Sequence, residues 1–374
     1  MQLKRYFNAL RKTPRTPPYL LFFVTARCDA HCRHCFFWRT TAEPPPELTL
    51  DEIGRVASHI DGLLQLTLTG GDAFLRDDLP EIAELFATRS HALNMTLATN
   101  GYPREKVLAS MERVLAKVPT TSNVTVDLSL DGLGADHDFI RNCPGIFDRF
   151  VATVRGLRQL QSRGRPFHIC VNTVLSRYNQ DRLRPVYDFL LHDLNVDIIN
   201  ILYLRGEPRD PAAKGADLER YREYCGWIRE DTAAGHIRGY SFFTDTLHAK
   251  DFILRDIIAN TVRTNRFQYP CTAGRLTGVI YPQGNVAPCE LIDVTLGNLR
   301  DVDYDLARIW TSARTDAFRK KAAYERCFCT HQCFLSNNIL FNPALLPRLV
   351  TETARLKLRR LVAPRRARRH VASS

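Results

Sequence analysis

Residues 19–35 read "YLLFFVTARCDAHCRHC", and two signals meet in them. The first seven residues are an unbroken apolar run ending in a threonine, the pattern of a strand buried on both faces. Three residues past Thr25 the chain reaches Cys28, then Cys32 and Cys35, with His31 and His34 threaded between them. Thiolates are soft ligands that suit zinc and iron–sulfur clusters. Three of them leave one coordination position open, and an open position is where metal chemistry takes place. On these residues alone, a Cys3His zinc site completed by His31 or His34 stays an alternative.

Working outward, five further runs rich in β-branched and aliphatic residues follow. They are "LQLTLTGG" (64–71), "MTLATNG" (95–101), "VTVDLSLDG" (124–132), "FHICVNTVL" (167–175) and "VDIINILYL" (196–204). Helical patterns fill the gaps. "TLDEIGRVASHI" (49–60) opens with Thr49 and Glu52 at capping-box spacing. "DLPEIAELFAT" (78–88) and "PREKVLASMERVLAKV" (103–118) repeat the helical apolar period. This alternation predicts parallel, right-handed βαβ units with strands buried on both faces. Six units predict an α/β fold built as a partial (β/α)6 barrel of TIM type, with a doubly wound sheet as the alternative. In both, function collects at the C-terminal ends of the strands. The cysteine loop leaves the first strand there. Gly70-Gly71-Asp72, Thr99-Asn100-Gly101 and Ser129-Leu130-Asp131-Gly132 close three later strands on the same face.

The C-x3-C-x2-C loop after the first strand, with these strand ends in this order, resembles the radical S-adenosylmethionine (radical SAM) superfamily. The resemblance implies a four-iron four-sulfur cluster on Cys28, Cys32 and Cys35. Its fourth iron takes the amino and carboxylate groups of S-adenosylmethionine (SAM), and reductive cleavage yields a 5′-deoxyadenosyl radical that abstracts hydrogen from a substrate. Gly70, Gly71 and Asp72 stand where the family has "GGE" beside the methionine amino group, and Asp72 is one methylene shorter than the glutamate. Thr99, Asn100, Ser129 and Asp131 match strand ends that line the cofactor's ribose and the substrate space. No motif defines a catalytic residue. Cys143, in "RNCPGIF" (141–147) on the loop after the fourth strand, is the one candidate hydrogen donor, with loop packing as its alternative. Cys170 and Cys225 read as core, and His31 and His34 as loop residues once three cysteines suffice.

The barrel is expected over residues 18–235, and residues 236–266 read as an irregular connector, partly helical around "AKDFILRDIIANTV" (249–262). Residues 267–342 form a cysteine-rich unit. "PQGN" (282–285) predicts a hairpin, and a helix is expected near 301–321. Cys271, twelve residues, Gly284, four residues, then Cys289 resembles the opening of the SPASM or shorter twitch extension, which holds auxiliary iron–sulfur clusters. A full extension carries more cysteines than the Cys327, Cys329 and Cys333 that remain here. The resemblance therefore implies one auxiliary cluster on four of Cys271, Cys289, Cys327, Cys329 and Cys333, with the spare thiol undetermined.

The net charge of +12 is concentrated at the ends. Residues 1–17 carry Lys4, Arg5, Arg11, Lys12 and Arg15 with no acid, and residues 343–374 carry nine Lys or Arg against Glu352 alone. Leu3, Phe7 and Leu10 share one helical face, as do Val350, Ala354, Leu358 and Leu361. Basic amphipathic helices point to an anionic membrane surface or a partner protein, with a solvated helix docked on the body as the alternative. The near-neutral body argues against nucleic acid. No apolar run is long enough to span a bilayer, the N-terminus lacks a secretory core, and the cysteine count is odd. These place the protein in the reducing cytoplasm, with the basic ends suggesting peripheral contact with the inner membrane surface. The expected partners are a flavodoxin-, ferredoxin- or reductase-type electron donor and a substrate. A peptide or protein substrate is expected first, and oxidation or epimerisation of a sugar-like or lipid-linked molecule second. From other classes, a non-catalytic iron–sulfur electron carrier and a zinc-stabilised binding module stay open.

Overall fold

A computed structural model describes residues 14–60, 62–240 and 243–362. Strand β1 (Tyr19–Thr25) has every residue buried, because it runs at the middle of a sheet and pairs in parallel with β2 on one side and β7 on the other. From β1 outward on the first side lie β2 (Gln65–Gly70), β3 (Asn94–Ala98), β4 (Asn123–Ser129), β5 (His168–Leu175) and β6 (Ile198–Tyr203). All six are parallel, the open partial barrel expected from the alternation of runs. Between them lie a short α1 (Trp38–Ala42), α2 (Leu50–Ser58), α3 (Leu79–Thr88), α4 (Arg104–Lys117), α5 (Ala135–Arg141), α6 (Ile146–Arg163) and α7 (Leu183–Asp188). The capping box forms at α2: Thr49 accepts from Glu52 N–H while Glu52 accepts from Thr49 N–H.

Burial on both faces holds for β1 but not for β2, β3 and β4. In β2, β3 and β4 the residues Leu66, Leu68, Met95, Leu97, Val124, Val126 and Leu128 are buried in the main core, whereas the alternate Thr67, Thr69, Thr96, Thr125 and Asp127 stay partly accessible. The physical reason is that the barrel is open, so its polar inner face is not closed over. A ladder of side chains holds that face: Gln65 donates to Thr96 at 3.0 Å, Asn123 to Asn94 at 3.0 Å and Asn172 to Asp127 at 2.6 Å.

After α8 (Leu218–Ala234) the expected irregular connector is instead largely one helix, α9 (Thr244–Thr264), with twelve of its 21 residues buried. A helix covered on several sides has no clean amphipathic period for the sequence to display. It packs against α8 and against two later helices, α12 and α13. The predicted hairpin is β7 (Thr277–Ile280) and β8 (Asn285–Ala287), turning at Gly284 with φ +90°. A short β9 (Gly297–Asn298) completes a nine-stranded sheet. The cysteine-rich unit is thus a continuation of the barrel sheet through the β1–β7 pairing. The single helix expected near 301–321 is two, α10 (Leu306–Trp310) and α11 (Ala313–Tyr324), split where Ser312 turns outward and caps the second through Thr315 N–H. Helices α12 (Gln332–Leu340) and α13 (Leu346–Val362) end the described chain. The face formed by Leu3, Phe7 and Leu10 lies outside the described residues.

A candidate iron–sulfur and cofactor site at the strand ends

The cysteine loop is pinned along both edges by backbone pairing. His31 and Arg33 N–H donate to the carbonyls of Arg141 and Ile140 at the end of α5, at 3.2 and 2.9 Å. On the other edge Arg209 and Asp210 N–H donate to Cys35 and Arg33 carbonyls, at 3.0 and 2.7 Å. Beneath it the ends of β1 and β2 meet at a bulge where Thr25 pairs with Gly70. A Cβ on Gly70, whose φ is +149°, would stand 2.0 Å from the Thr25 carbonyl oxygen, and one on Gly71 would stand 2.1 Å from that of Arg27. Only glycine lets the second strand end press against the loop.

Asp72 has both carboxylate oxygens in use. One accepts from Phe74 N–H at 3.0 Å, the other from the Thr99 hydroxyl and Asn100 N–H, each at 2.8 Å. Burial, with Asp29 close by, pushes its pKa up to about 7 against the lowering effect of these donors. The shortened acid therefore braces the Thr99-Asn100-Gly101 turn. Asn100 reaches the loop itself, donating to Asp29 at 2.6 Å, with its amide 3.9 Å from the Cys28 sulfur.

Ser129 ends β4 with its residue partly accessible, but Asp131 has no accessible surface. It binds Arg141 at 2.6 Å and accepts from Val174 N–H at 2.7 Å, with His34 3.7 Å away. Burial works to raise its pKa, yet Arg141, His34 and His137 together hold it below the ordinary carboxylate value. Arg141 in turn donates to the Cys32 sulfur at 3.6 Å. Asp131 thus acts on the loop through Arg141. His34 is buried in this group and His31 is exposed. Cys143 is buried against Ala30, Cys32 and Ile146, its thiol donating to the Asp29 carbonyl at 3.6 Å.

Of the auxiliary cysteines, Cys271 and Cys289 flank the β7–β8 hairpin, and Cys327 and Cys329 lie in the loop after α11. Cys271 lies near Cys289, Cys327 and Cys329, and Cys329 lies near Cys289 and Cys327. Cys271, Cys289 and Cys329 each accept a backbone N–H from two residues on, at 3.5, 3.4 and 3.4 Å. Cys333, in the first turn of α12, lies near Arg205, Glu290 and Asp127. Cys170 lies on β5 beside Asp127, and Cys225 on α8.

Several residues that build the site carried no sequence signal. Arg76 donates to the Val24 and Leu48 carbonyls at 2.8 and 2.7 Å, and Glu47 accepts from Thr25 and Ala26, so the pair fixes the end of β1. Glu290 is buried between Arg205 at 2.9 Å and His331 at 2.7 Å, tying the exit of β6 to the auxiliary unit. Arg141 belongs with them.

The thiol set fits iron–sulfur clusters. Burial raises Cys28 and Cys32 above the ordinary thiol range and pushes Cys35 up to about 11, so bound metal would supply the positive charge that makes them thiolates. N–H donors to the sulfurs are the usual means of tuning such clusters. The radical SAM superfamily pattern matches residues 22–190, the cysteine loop and three glycine-bearing strand ends included. Residues 22–190 are a radical SAM domain. A SPASM iron–sulfur cluster-binding domain matches residues 271–334. The AdoMet-dependent heme synthase of Methanosarcina barkeri is 28% identical over 322 residues, 81% of this chain and 84% of that one. The sporulation killing factor maturation protein SkfB of Bacillus subtilis is 22% identical, over 84% and 69% of the two chains. In structure the chain is similar to Streptococcus suis SuiB bound to SAM, with TM-score 0.58, 16% identity, and 84% and 71% of the two chains covered. That likeness is one of fold.

Proposed function

We propose that this radical SAM enzyme oxidises a carboxylate-bearing substrate held against the polar inner face of the barrel. When bound, the two kinds of cluster supply the electron that cleaves SAM to a 5′-deoxyadenosyl radical and an acceptor for the electron left on the substrate. The chain's residues do the rest. Cys28, Cys32 and Cys35 hold the first cluster, Gly70, Gly71, Thr99 and Asn100 shape the cofactor's seat, and Asp72 and Asp131 keep that seat in place.

The observation that carries the substrate class is a pair of buried cations at β6. Arg205, at the exit of β6 and paired with Glu290, and Arg255, on α9 and bonded to Asn200 of β6 at 3.2 Å, place two guanidinium groups beside the barrel's last strand. A planar guanidinium suits a carboxylate. A small polycarboxylate of the tetrapyrrole kind comes first, because the heme synthase relative matches over four-fifths of both chains. A peptide, the class expected first from the sequence, is the second reading, supported by the similarity to SkfB.

The test is the release of 5′-deoxyadenosine by reduced, cluster-loaded protein given either coproporphyrin-type tetracarboxylates or short peptides. Stimulation by the tetracarboxylates, with a raised KM in Arg255→Gln, supports the first reading. Stimulation by peptides alone moves the assignment to the second.

A further inference from the structure

Helix α13 has two apolar faces. Leu349 and Leu356 are buried against the body, where the helix packs on α8 and α9. Leu346, Val350, Ala354, Leu358 and Leu361, spaced by four, four, four and three, run along a different side of the helix. Val350 is 68% exposed, Leu358 61% and Leu361 81%. The ion pair between Arg360 and Asp245 fixes the end of this helix beside the start of α9, near Phe243, which is 64% exposed. A helix docked by one face ordinarily turns polar residues outward. A row of exposed large apolar groups marks an interaction surface.

Charge identifies what covers it. Lys357 is exposed within the row and has no acidic partner among the described residues, whereas Arg355, paired with Glu352, and Arg359 are exposed on the other side of the helix. The sequence that follows adds Arg365, Arg366, Arg368 and Arg369 and no acid. A second copy of this helix would bring like charges together, and so would the chain's own first seventeen residues, with Lys4, Arg5, Arg11, Lys12 and Arg15. An anionic bilayer answers both features, taking the apolar row below the headgroups while the lysine and arginine stems reach back to the phosphates. We propose that α13 docks the enzyme on an anionic membrane surface through Leu346, Val350, Leu358 and Leu361, with Lys357 among them and the basic sequence Arg365, Arg366, Arg368 and Arg369 following. The proposal is independent of the substrate. Among the described residues no helix is long and apolar enough to cross a membrane, so the contact is with one face.

The test is co-sedimentation of the full chain with phosphatidylcholine vesicles containing or lacking phosphatidylglycerol. Binding is expected to the anionic vesicles, weaker to the neutral ones, and lower at 1 M salt, where the Debye length falls to ~3 Å. Each basic residue at the surface is worth about fivefold in affinity, so Lys357→Ser should lose about fivefold. Leu358→Glu/Leu361→Glu should lose binding while thermal unfolding and SAM cleavage stay those of wild type, since both side chains are exposed. Leu361→Trp should be quenched by brominated lipid, an independent reading of insertion that needs no loss of function. Equal binding to neutral and anionic vesicles overturns the electrostatic part. No binding at low salt, unchanged binding of the double glutamate variant, or recovery only in complex with an acidic protein overturns membrane docking.

Discussion

The two sets of cysteines are held by opposite strategies. Cys28, Cys32 and Cys35 sit in eight consecutive residues, paired by backbone hydrogen bonds along both edges. Two glycines in close contact support them from below, and Asp72, Asn100 and Arg141 support them from the side. Cys271, Cys289, Cys327 and Cys329 arrive from two segments far apart in sequence, a hairpin and a loop between helices, joined beneath by the Arg205–Glu290–His331 group. The first set rests on local backbone pairing, the second on long-range packing and ion pairing.

The largest effect that would break this contrast is expected from Gly71→Ala. Its Cβ has no room against the Arg27 carbonyl, so the loop must move and the first cluster should be lost. Iron should fall to about half of the roughly eight expected for two four-iron clusters, with the auxiliary signal intact by electron paramagnetic resonance. Equal loss from both sites would show that they are not built independently. Next comes Arg205→Met, which strands a buried carboxylate with half its partners. Removing one member of a buried pair costs ~3–5 kcal/mol, so thermal unfolding should come at a clearly lower temperature. Burial works to raise the Glu290 pKa, while His331 and Arg205 hold it down at about 2. The stability this contributes is fully present above the unfolded value near 4.5 and is lost as pH falls through about 2. In Arg205→Met that loss should begin at higher pH, measurable by acid titration of the circular dichroism signal.

Asp72→Asn should do less. The new amide turns a donor toward the Thr99 hydroxyl and Asn100 N–H, where an acceptor stood. An unsatisfied buried group costs ~1–3 kcal/mol, and a SAM affinity weaker by roughly tenfold is expected by equilibrium dialysis. An unchanged affinity would mean the turn is held without Asp72. Cys143→Ser should be smallest, below about 1 kcal/mol in stability, with product formation retained, since the thiol packs on the loop. Loss of turnover with intact clusters would mark it as a hydrogen donor.

The barrel was legible because its signals are local. An apolar run at residues 19–25, a capping box at Thr49 and Glu52, and glycines at three strand ends each report their own surroundings. The polar inner face of β2–β4 was readable as alternation, yet a parallel sheet argues for burial on both sides until the barrel is known to be open. Helix α9 was visible only in part, over residues 249–262, because burial on several sides blurs its periodicity. Arg141, Arg205, Glu290 and His331 were invisible for another reason: their partners lie far away in sequence, and a single charged residue carries no mark of the contact it will make. Asp72 was placed correctly at the strand end, but only coordinates show that its short side chain is bound to the neighbouring turn.

The central claim is that Cys28, Cys32 and Cys35 form a radical-generating site. Anaerobically reconstituted wild-type protein, reduced with dithionite and given SAM, should release 5′-deoxyadenosine slowly even without substrate, and the Cys28→Ala/Cys32→Ala/Cys35→Ala protein should release none while retaining its auxiliary iron. A wild-type protein that holds iron and binds SAM yet never cleaves it, or one that holds zinc and no iron, would contradict the account.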